Sequence, residues 1–433
     1  MNRNWRVKMI VILTFIMSVG YHLTSFAQEL TLTLDQVINI ALERNPLIAI
    51  SRQSKDAAEA RILQARSGYL PQVTATADIS RQRIHSGGGI HNESNYYKTD
   101  VGVNQYIYDF GKTRESLNSS RYALDTSDRN LDQTVADVIL TTQINYYEIL
   151  KKKYMVKVNQ ESLDMQKKHL EEAKAFYSAG LRPKIDVTRG EVQFANTHLE
   201  LIKARYALSV ARADLENNVG GPPVKGPYFL ADVPVEAKKV VLTDALLQSA
   251  MENRPAIAAL KAQIQAAEAN VKAIRARKWP TVSANASYGW NNTELPLEDE
   301  WRAGVHLDWP LFTGYRTKGE VSEAQAAAEL IKYELKRLEL DVVRETTQAV
   351  STVNEALEAI KTTELAIRQS EENMELAQGR YKVGVGSAIE YNDAQLNLTQ
   401  ARNNLVQAQF SYLQAHANLE HAIGRLFLNS KVQ

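Results

Sequence analysis

Three acidic residues that follow two glycine-containing turns are the first candidates for a functional site. Asp186 comes six residues after Gly180, and Glu390 and Asp393 come six and nine residues after Gly384. Glu390 and Asp393 are three residues apart, so a helix would present both on one face. If several copies of the chain surround a narrow pore, such acids form rings that attract cations. Alternatively, they stabilise the positive ends of their helices by about 0.3–1 kcal/mol each.

Other arrangements of reactive side chains give only weak evidence for a functional site. Gly111-Lys112-Thr113 resembles the end of a phosphate-binding loop, but Tyr106 stands where such a loop needs glycine. His85 and His91 flank three glycines without a nearby cysteine, which disfavours a metal site. The 51 basic and 50 acidic residues leave no basic footprint for nucleic acid. The sequence therefore predicts no catalytic site or enzyme activity, no metal, no cofactor and no nucleic-acid partner.

Residues 1–27 have the pattern of a cleaved signal peptide. Three basic residues precede a short apolar run and the cleavage pattern Ser25-Phe26-Ala27: Arg3, Arg6 and Lys8. A membrane anchor is the alternative, but the apolar run from Met9 to Val19 is short for a membrane span. The chain has no cysteine, and no later segment is apolar enough for a transmembrane helix. Such an exported protein is periplasmic, secreted or an outer-membrane β-barrel.

The chain contains two copies of one unit. Glu43-Arg44-Asn45-Pro46 recurs as Glu252-Asn253-Arg254-Pro255, and Leu70-Pro71 recurs as Trp279-Pro280, both with prolines shifted by 209 residues. A shift of 204 then maps the turn glycines and the residues after them: Gly180 onto Gly384, Ile185 onto Ile389, Asp186 onto Glu390 and Gly220 onto Gly424. These matches predict a first repeat over 28–218, a connector over 219–242, a second repeat over 243–424 and a tail over 425–433.

Four segments alternate apolar and polar residues with the period of a β-strand, at about 72–85, 96–108, 281–291 and 300–310. Their length suits tilted strands across a bilayer. Trp290, Trp301 and Trp309 lie at the strand ends, where an aromatic girdle would contact the membrane interface. Two ordinary hairpins packed on a soluble core are the alternative.

One chain supplies too few strands for a membrane barrel, because the smallest such barrels have about eight. Two chains would give eight strands and a lumen filled by side chains, whereas three would give twelve and a channel.

Each hairpin is followed by a very long helical pattern, about 112–178 and 316–382, and by a shorter one, about 183–218 and 388–423. Apolar residues recur in the long pattern at steps of three and four: Ile331, Leu335, Leu338 and Val342, then Val350, Val353, Leu357 and Ile360. Such steps indicate a coiled-coil seam, and 67 helical residues extend about 100 Å. A plain coiled-coil rod is the alternative, but it leaves the interposed strands unexplained.

The duplicated order of these motifs resembles the TolC family of outer-membrane efflux proteins over nearly the whole mature chain, from about 32 to 426. The resemblance is carried by the two proline pairs above, by Pro310-Leu311-Phe312-Thr313-Gly314 and by two helix turns: Ala179-Gly180-Leu181-Arg182-Pro183-Lys184-Ile185-Asp186 and Tyr381-Lys382-Val383-Gly384-Val385-Gly386-Ser387. Each motif is modest alone, whereas their duplication in one order is specific.

The resemblance implies an α+β membrane protein that assembles as a homotrimer. Its twelve strands would form one barrel in the outer membrane, continuous with an α-helical coiled-coil tunnel in the periplasm. The implied function is a passive exit duct of a tripartite efflux or type I secretion system. The implied partners are outer-membrane lipid, a periplasmic adaptor protein and an inner-membrane transporter.

The resemblance also assigns roles to the helix tips. Gly180, Leu181, Gly384 and Val385 would contact the adaptor at the periplasmic entrance, and the acids singled out above would line the entrance gate: Glu390, Asp393 and Asp186. Gly386 stands where the family prototype has an arginine, so an ion-pair network at the gate is not implied for this chain. A periplasmic coiled-coil scaffold or adaptor without a pore is the alternative function.

Overall fold

The computed structural model describes residues 30–86, 90–224 and 226–425. The predicted signal peptide, the three glycines at 87–89 and residues 426–433 of the predicted tail lie outside the described residues. Within them, helices dominate and strands form a smaller part, which agrees with the predicted α+β class.

One order of elements occurs twice: two shorter helices, a β-hairpin, a long helix and a return helix. Its first occurrence, preceded by the short strand β1 (Leu30–Leu32), comprises α1 (Leu34–Arg44), α2 (Pro46–Arg66), β2 (Gln72–Ser86), β3 (Ile90–Tyr108), α3 (Lys112–Ser178) and α4 (Lys184–Asn218). Its second, preceded by β4 (Tyr228–Leu230), comprises α5 (Asp244–Asn253), α6 (Pro255–Ala276), β5 (Thr281–Asn292), β6 (Glu298–Asp308), α7 (Arg316–Lys382) and α8 (Ala388–Ala422).

The described chain divides into two compact units. The tip unit consists of residues 30–44, 141–236 and 362–410, apart from residue 225, which is not described. The sheet unit consists of residues 45–86, 90–140, 237–361 and 411–425. The long helices α3 and α7 contribute residues to both units.

Proline separates the two shorter helices of each repeat. Asn45 caps α2, because its side-chain oxygen accepts a hydrogen bond of 2.7 Å from the Leu47 amide, and Pro46 is the first helical residue. Pro255 occupies the same position in α6, after Arg254 in extended conformation. A proline cannot donate the backbone hydrogen bond that would continue the preceding helix, so a new helix begins at each one.

A four-stranded antiparallel sheet with the order β2-β3-β5-β6 forms the strand part of the sheet unit. The hairpins of the two repeats adjoin through β3 and β5, where Val103 lies opposite Ala286. Strands β2 and β6 are the edges, so the sheet of one chain does not close on itself.

The register places the apolar residues of all four strands on one face. Val73 lies opposite Val103, and Ala286 lies opposite Ala303. Directly opposed residues of antiparallel strands point to the same side of the sheet. This face is exposed in the single chain: Val305 is 70% exposed and Ile79 is 79% exposed.

Strand β3 begins at Ile90, six residues before the start predicted from alternation. Its first residues are mostly polar, so they show no apolar face, but they continue the pairing with β2 as far as Ser86 opposite Ile90. Arg81 and Arg83 of β2 both pair with Glu93 of this extension. Strand β6 ends at Asp308, so Trp309 lies just beyond it rather than within it.

The small parallel sheet of β1 and β4 belongs to the tip unit, with Leu32 opposite Leu230. The buried side chain of Tyr146 on α3 holds this sheet, because its hydroxyl donates to the Ala231 carbonyl oxygen at 2.7 Å and lies 3.1 Å from that of Leu32. Among the described residues, each helix lacks a stretch that is both long and apolar enough to cross a membrane.

Candidate functional site at the helix tips

The two turns that end the long helices share one geometry. Gly180 and Gly384 have φ angles of 73° and 87°, in the left-handed region that glycine adopts without strain. The amide of Leu181 donates to the Phe176 carbonyl oxygen at 2.9 Å, and the amide of Val385 donates to that of Arg380 at 3.1 Å. These bonds satisfy the last carbonyls of each helix in a Schellman-type cap. Both glycines are therefore needed by the turns, whatever else they contact.

The turns present apolar side chains to solvent. Leu181 and Val385 are 70% and 68% exposed in the single chain. A Cβ atom placed on Gly180 or Gly384 would meet nothing within 4 Å, so the backbone there is open to a partner. These exposed apolar side chains lie beside bare backbone, an arrangement that leaves room for another protein to cover both.

Arg182 connects the two turns, although the sequence analysis assigned it no role. Its Nη2 atom donates to the carbonyl oxygens of Tyr381 at 3.1 Å and Gly386 at 3.0 Å. Its guanidinium carbon lies 4.7 Å from the centre of the Tyr381 ring, which is a cation–π distance. One side chain from the first turn therefore binds the end of α7 and the second turn.

Asp186, the first predicted gate acid, is buried. It lies in the first turn of α4, and its Oδ2 atom is 4.0 Å from Nη1 of Arg182. This position faces the contact between the turns rather than open solvent.

The other two predicted acids lie near the start of α8 and differ in their surroundings. Ser387 accepts a hydrogen bond of 3.1 Å from the Glu390 amide, so it caps the helix. The Glu390 carboxylate pairs with Nε of Arg380 at 2.8 Å. Asp393 is exposed and has no ion pair within the described residues. Arg380 is the second basic residue that the sequence analysis did not assign.

The second turn leaves little room for a side chain at position 386, where Gly386 stands in place of the arginine of the family prototype. A Cβ atom there would lie 3.0 Å from backbone atoms of Arg380 and Tyr381, closer than ordinary contact. The Gly386 carbonyl instead accepts a hydrogen bond from Arg182. Basic groups therefore approach the acids of the two turns from positions 182 and 380 rather than 386.

The predicted membrane-interface tryptophans belong to the sheet unit. Trp290 and Trp301 lie on the apolar face, and Trp301 is opposite Tyr288 in the register. Trp309 follows the end of β6 and is half exposed. Further exposed aromatic residues flank the strands, and the sequence analysis did not assign them to a membrane interface: Tyr69, Phe110, Trp279, Phe312 and Tyr315. Among them, Phe110 and Tyr315 have positive φ angles of 53° and 65°.

Comparisons with known proteins agree with this fold. The model of the outer membrane efflux protein family matches residues 37–221 and 246–425. The outer membrane protein TolC of Vibrio cholerae serotype O1 is 22% identical over 408 residues, which cover 91% of this chain and 91% of that protein.

Two solved channel structures share the fold. The outer-membrane channel OprN superposes with a TM-score of 0.81 at 20% identity, covering 90% of this chain and 89% of that chain. The outer membrane channel CmeC of Campylobacter jejuni gives a TM-score of 0.79 at 16% identity, covering 92% of this chain and 88% of that chain.

The predicted resemblance, the α+β fold, the outer-membrane location and the efflux-channel function are thereby confirmed. The family matches cover most of both repeats, and the gap between them falls at the connector. The chain belongs to the outer membrane efflux protein family.

Proposed function

We propose that this chain is one subunit of a homotrimeric exit duct, through which an inner-membrane transporter and a periplasmic adaptor expel their cargo across the outer membrane. The observation that carries the proposal is the four-stranded sheet, with one exposed apolar face and two unpaired edges. A periplasmic scaffold without a pore would gain nothing from such a sheet.

The apolar face fits lipid and the opposite face fits water. The opposite face carries Thr76, whose hydroxyl donates to Asp100 at 2.6 Å, and Lys98, which pairs with Asp100 at 3.2 Å. Further along, Nε of Arg302 binds Glu300 at 2.7 Å. Apolar-out and polar-in alternation is the pattern of an outer-membrane barrel around an aqueous lumen.

The unpaired edges support assembly from several copies. An open sheet edge in lipid leaves backbone groups without hydrogen bonds, at several kcal/mol each. Pairing β6 of one copy with β2 of the next removes every edge when the ring closes. Three copies give twelve strands, which leave an aqueous channel, whereas eight strands are filled by their own side chains.

A stripe on α4 supports the same assembly within the tip unit. The stripe consists of apolar residues seven positions apart, all exposed in the single chain: Ile185, Val192, Leu199 and Tyr206. A seven-residue repeat of exposed apolar side chains is the signature of a coiled-coil seam that lacks its partner helix. We assign this stripe to contact between neighbouring subunits.

The turns support the adaptor contact. Gly180 with Leu181, and Gly384 with Val385, form two similar surfaces of bare backbone and exposed apolar side chains. An adaptor helix that buries such a side chain gains about 1.5–3 kcal/mol for each one. We propose these surfaces as the adaptor-docking tips.

The contact between the turns supports a gate. Arg182 ties the first turn to Tyr381 and Gly386, and Asp186 lies beside this bridge. Glu390 and Asp393 follow on the same face of α8 and form acidic rings when three subunits meet. We propose that the entrance widens when the Arg182 contacts break.

Reconstitution of the purified protein in planar bilayers tests the proposal. Native mass spectrometry in mild detergent should give three chains, and the bilayers should show discrete, long-lived, cation-selective conductance steps. A stable monomer that retains its β-sheet signal would contradict the assembly. A trimer without conductance at any voltage would contradict the duct.

A further inference from the structure

A layer of buried polar side chains lies between three helices of the tip unit, and of its members the proposed gate uses Tyr381. The buried polar layer consists of Gln166 and His169 on α3, Tyr381 on α7, and Tyr391 and Gln395 on α8. His169 is 1% exposed, and Gln166 and Tyr381 are fully buried. The layer is polar where a coiled-coil contact of this depth is ordinarily apolar.

Several atoms of the layer have no hydrogen-bond partner in the described part of the chain. They are both ring nitrogens of His169, the Tyr381 hydroxyl, and the side-chain oxygens of Gln166 and Gln395. Buried polar groups in folded proteins nearly always have partners, because an unpartnered one costs free energy. Several unpartnered polar atoms within one contact between helices indicate that the layer has a role beyond packing.

The imidazole of His169 is held between two aromatic rings. It stacks on Tyr391 with 3.8 Å between ring centres and 15° between planes, and it meets the edge of Tyr381 at 4.8 Å. A protonated imidazole carries two N–H donors. Neither would find an acceptor among the described residues, so this packing suits the neutral ring.

The charged groups around the layer do not favour a positive His169. Burial lowers the pKa of His169 to about 4, and no neighbouring charge contributes. Burial, with Glu172 as the next cause, raises the pKa of Tyr391 to about 12, and burial and Asp186 raise the pKa of Tyr381, which Arg182 lowers. Both tyrosines are therefore neutral near pH 7, and burial is the cause of the lowered pKa of His169.

We propose that His169 is a proton-sensitive contact, which holds α3 against the α7–α8 hairpin when neutral and releases it on acidification. Above pH 6.5 the imidazole is neutral whether buried or exposed, and the contact has its full stability. As the pH falls from 6.5 towards about 4, only the exposed imidazole takes up a proton. Opening is then favoured about tenfold per pH unit, up to about 300-fold.

This contact lies in the same unit as the turns, so its release would loosen the helices that carry them. The effect on conductance rests on the proposed duct, whereas the effect on the helix contact does not. The two consequences are therefore measured separately.

Hydrogen exchange of the full-length oligomer, corrected for the chemical exchange rate, measures the helix contact. Protection of residues 165–176 and 388–398 should fall about 15-fold between pH 6.5 and pH 5.0 in the wild type. His169→Phe keeps an aromatic ring without a titrating nitrogen, so its protection should not change over this range. His198→Gln alters an exposed histidine on α4 and should behave as the wild type does.

Equal acid responses in the wild type and His169→Phe would overturn the proposal, as would a wild type that does not respond. If His169→Phe fails to assemble, the imidazole proton resonances of His169 in the wild type decide the question. A midpoint below pH 5 supports the proposal, and one near pH 6.5 overturns it. A normal exchange response without any change in bilayer conductance would leave the helix contact standing and count against its coupling to the duct.

Discussion

Single residues at the turns differ in how their charges are compensated. Glu390 pairs with Arg380, and Asp186 lies beside Arg182, whereas Asp393 has no ion pair within the described residues. An acid beside a basic group contributes little to the field at a distance, because the two charges oppose each other. Of the three proposed gate acids, Asp393 should therefore dominate the attraction of cations.

Neutralising these acids one at a time tests this order. Asp393→Asn should weaken block by trivalent lanthanide ions about tenfold and reduce cation selectivity in planar-bilayer recordings. Glu390→Gln should have a smaller effect, because it also releases the positive charge of Arg380. Glu375→Gln removes an exposed acid from α7 and serves as the control. Wild-type block and selectivity in Asp393→Asn trimers would mean that this acid only stabilises the start of α8.

Arg182 contributes through geometry as well as charge. Arg182→Gln loses the charge-assisted hydrogen bonds to two carbonyl oxygens and the contact with the Tyr381 ring, about 2 kcal/mol together. Local opening of the second turn should rise about 30-fold, measured by hydrogen exchange of residues 380–388, and mean conductance should increase. The local opening of Arg182→Lys should lie between that of the wild type and that of Arg182→Gln, because lysine keeps the positive charge but lacks the planar guanidinium group.

The matched control for this position is Arg189→Gln, which removes an exposed arginine of α4, seven residues after Arg182. Its exchange and conductance should equal those of the wild type. If Arg182→Gln opens neither the turn nor the channel, the bridge between the turns has no part in the gate.

At the scale of elements, β6 offers the sharpest test of which face meets lipid. Val305 points to the apolar face with Ala284 opposite, and His306 points to the other face with Ser283 opposite. Val305→Arg should cost about 2–4 kcal/mol near the middle of the bilayer and sharply reduce the membrane-inserted fraction. His306→Arg should insert almost normally. Comparable losses for both variants would contradict the assignment of the faces.

The strands show what alternation in a sequence can and cannot predict. Alternation of apolar and polar residues located β5 and the apolar face of β6. It did so because the two faces of each strand differ in polarity. It missed the first six residues of β3, where pairing with β2 rather than an apolar face maintains the strand. The long helices followed from uninterrupted periodicity, and their ends followed from glycines that the turns require.

The turn contacts were only partly predictable. Motifs pointed to the glycines and the acids, because their types and their recurrence 204 residues later are visible in the sequence. Arg182 lies in one of those motifs, but its partners Tyr381 and Gly386 are 199 and 204 residues away. The buried polar layer could not be predicted either. A histidine among the charged residues of a helix is expected to be exposed, and only the packing of neighbouring helices shows that it is buried.

At the scale of the whole molecule, two separate surfaces of one chain lack a partner within that chain's described residues. The sheet has unpaired edges at β2 and β6, and α4 has an exposed apolar stripe. Both call for neighbouring copies, yet they depend on different forces: backbone hydrogen bonds in lipid for the sheet, and burial of apolar side chains in water for the helix. A substitution in the stripe therefore separates the contribution of the helices from that of the barrel.

The last prediction uses this separation. Val192→Glu combined with Leu199→Glu places charges in the α4 stripe, at a loss of about 2–3 kcal/mol of apolar burial for each residue. Trimers should still form, because the strand edges remain, but they should dissociate at lower temperature than wild-type trimers in native electrophoresis. His198→Glu adds a charge to α4 outside the stripe and should leave trimer stability unchanged. If the double variant is as stable as the wild type, α4 does not contact a neighbouring subunit and its stripe must face another partner. If the double variant is monomeric even in lipid, the helices rather than the strands provide most of the assembly energy, because repulsion in the stripe would then prevent the edges from pairing.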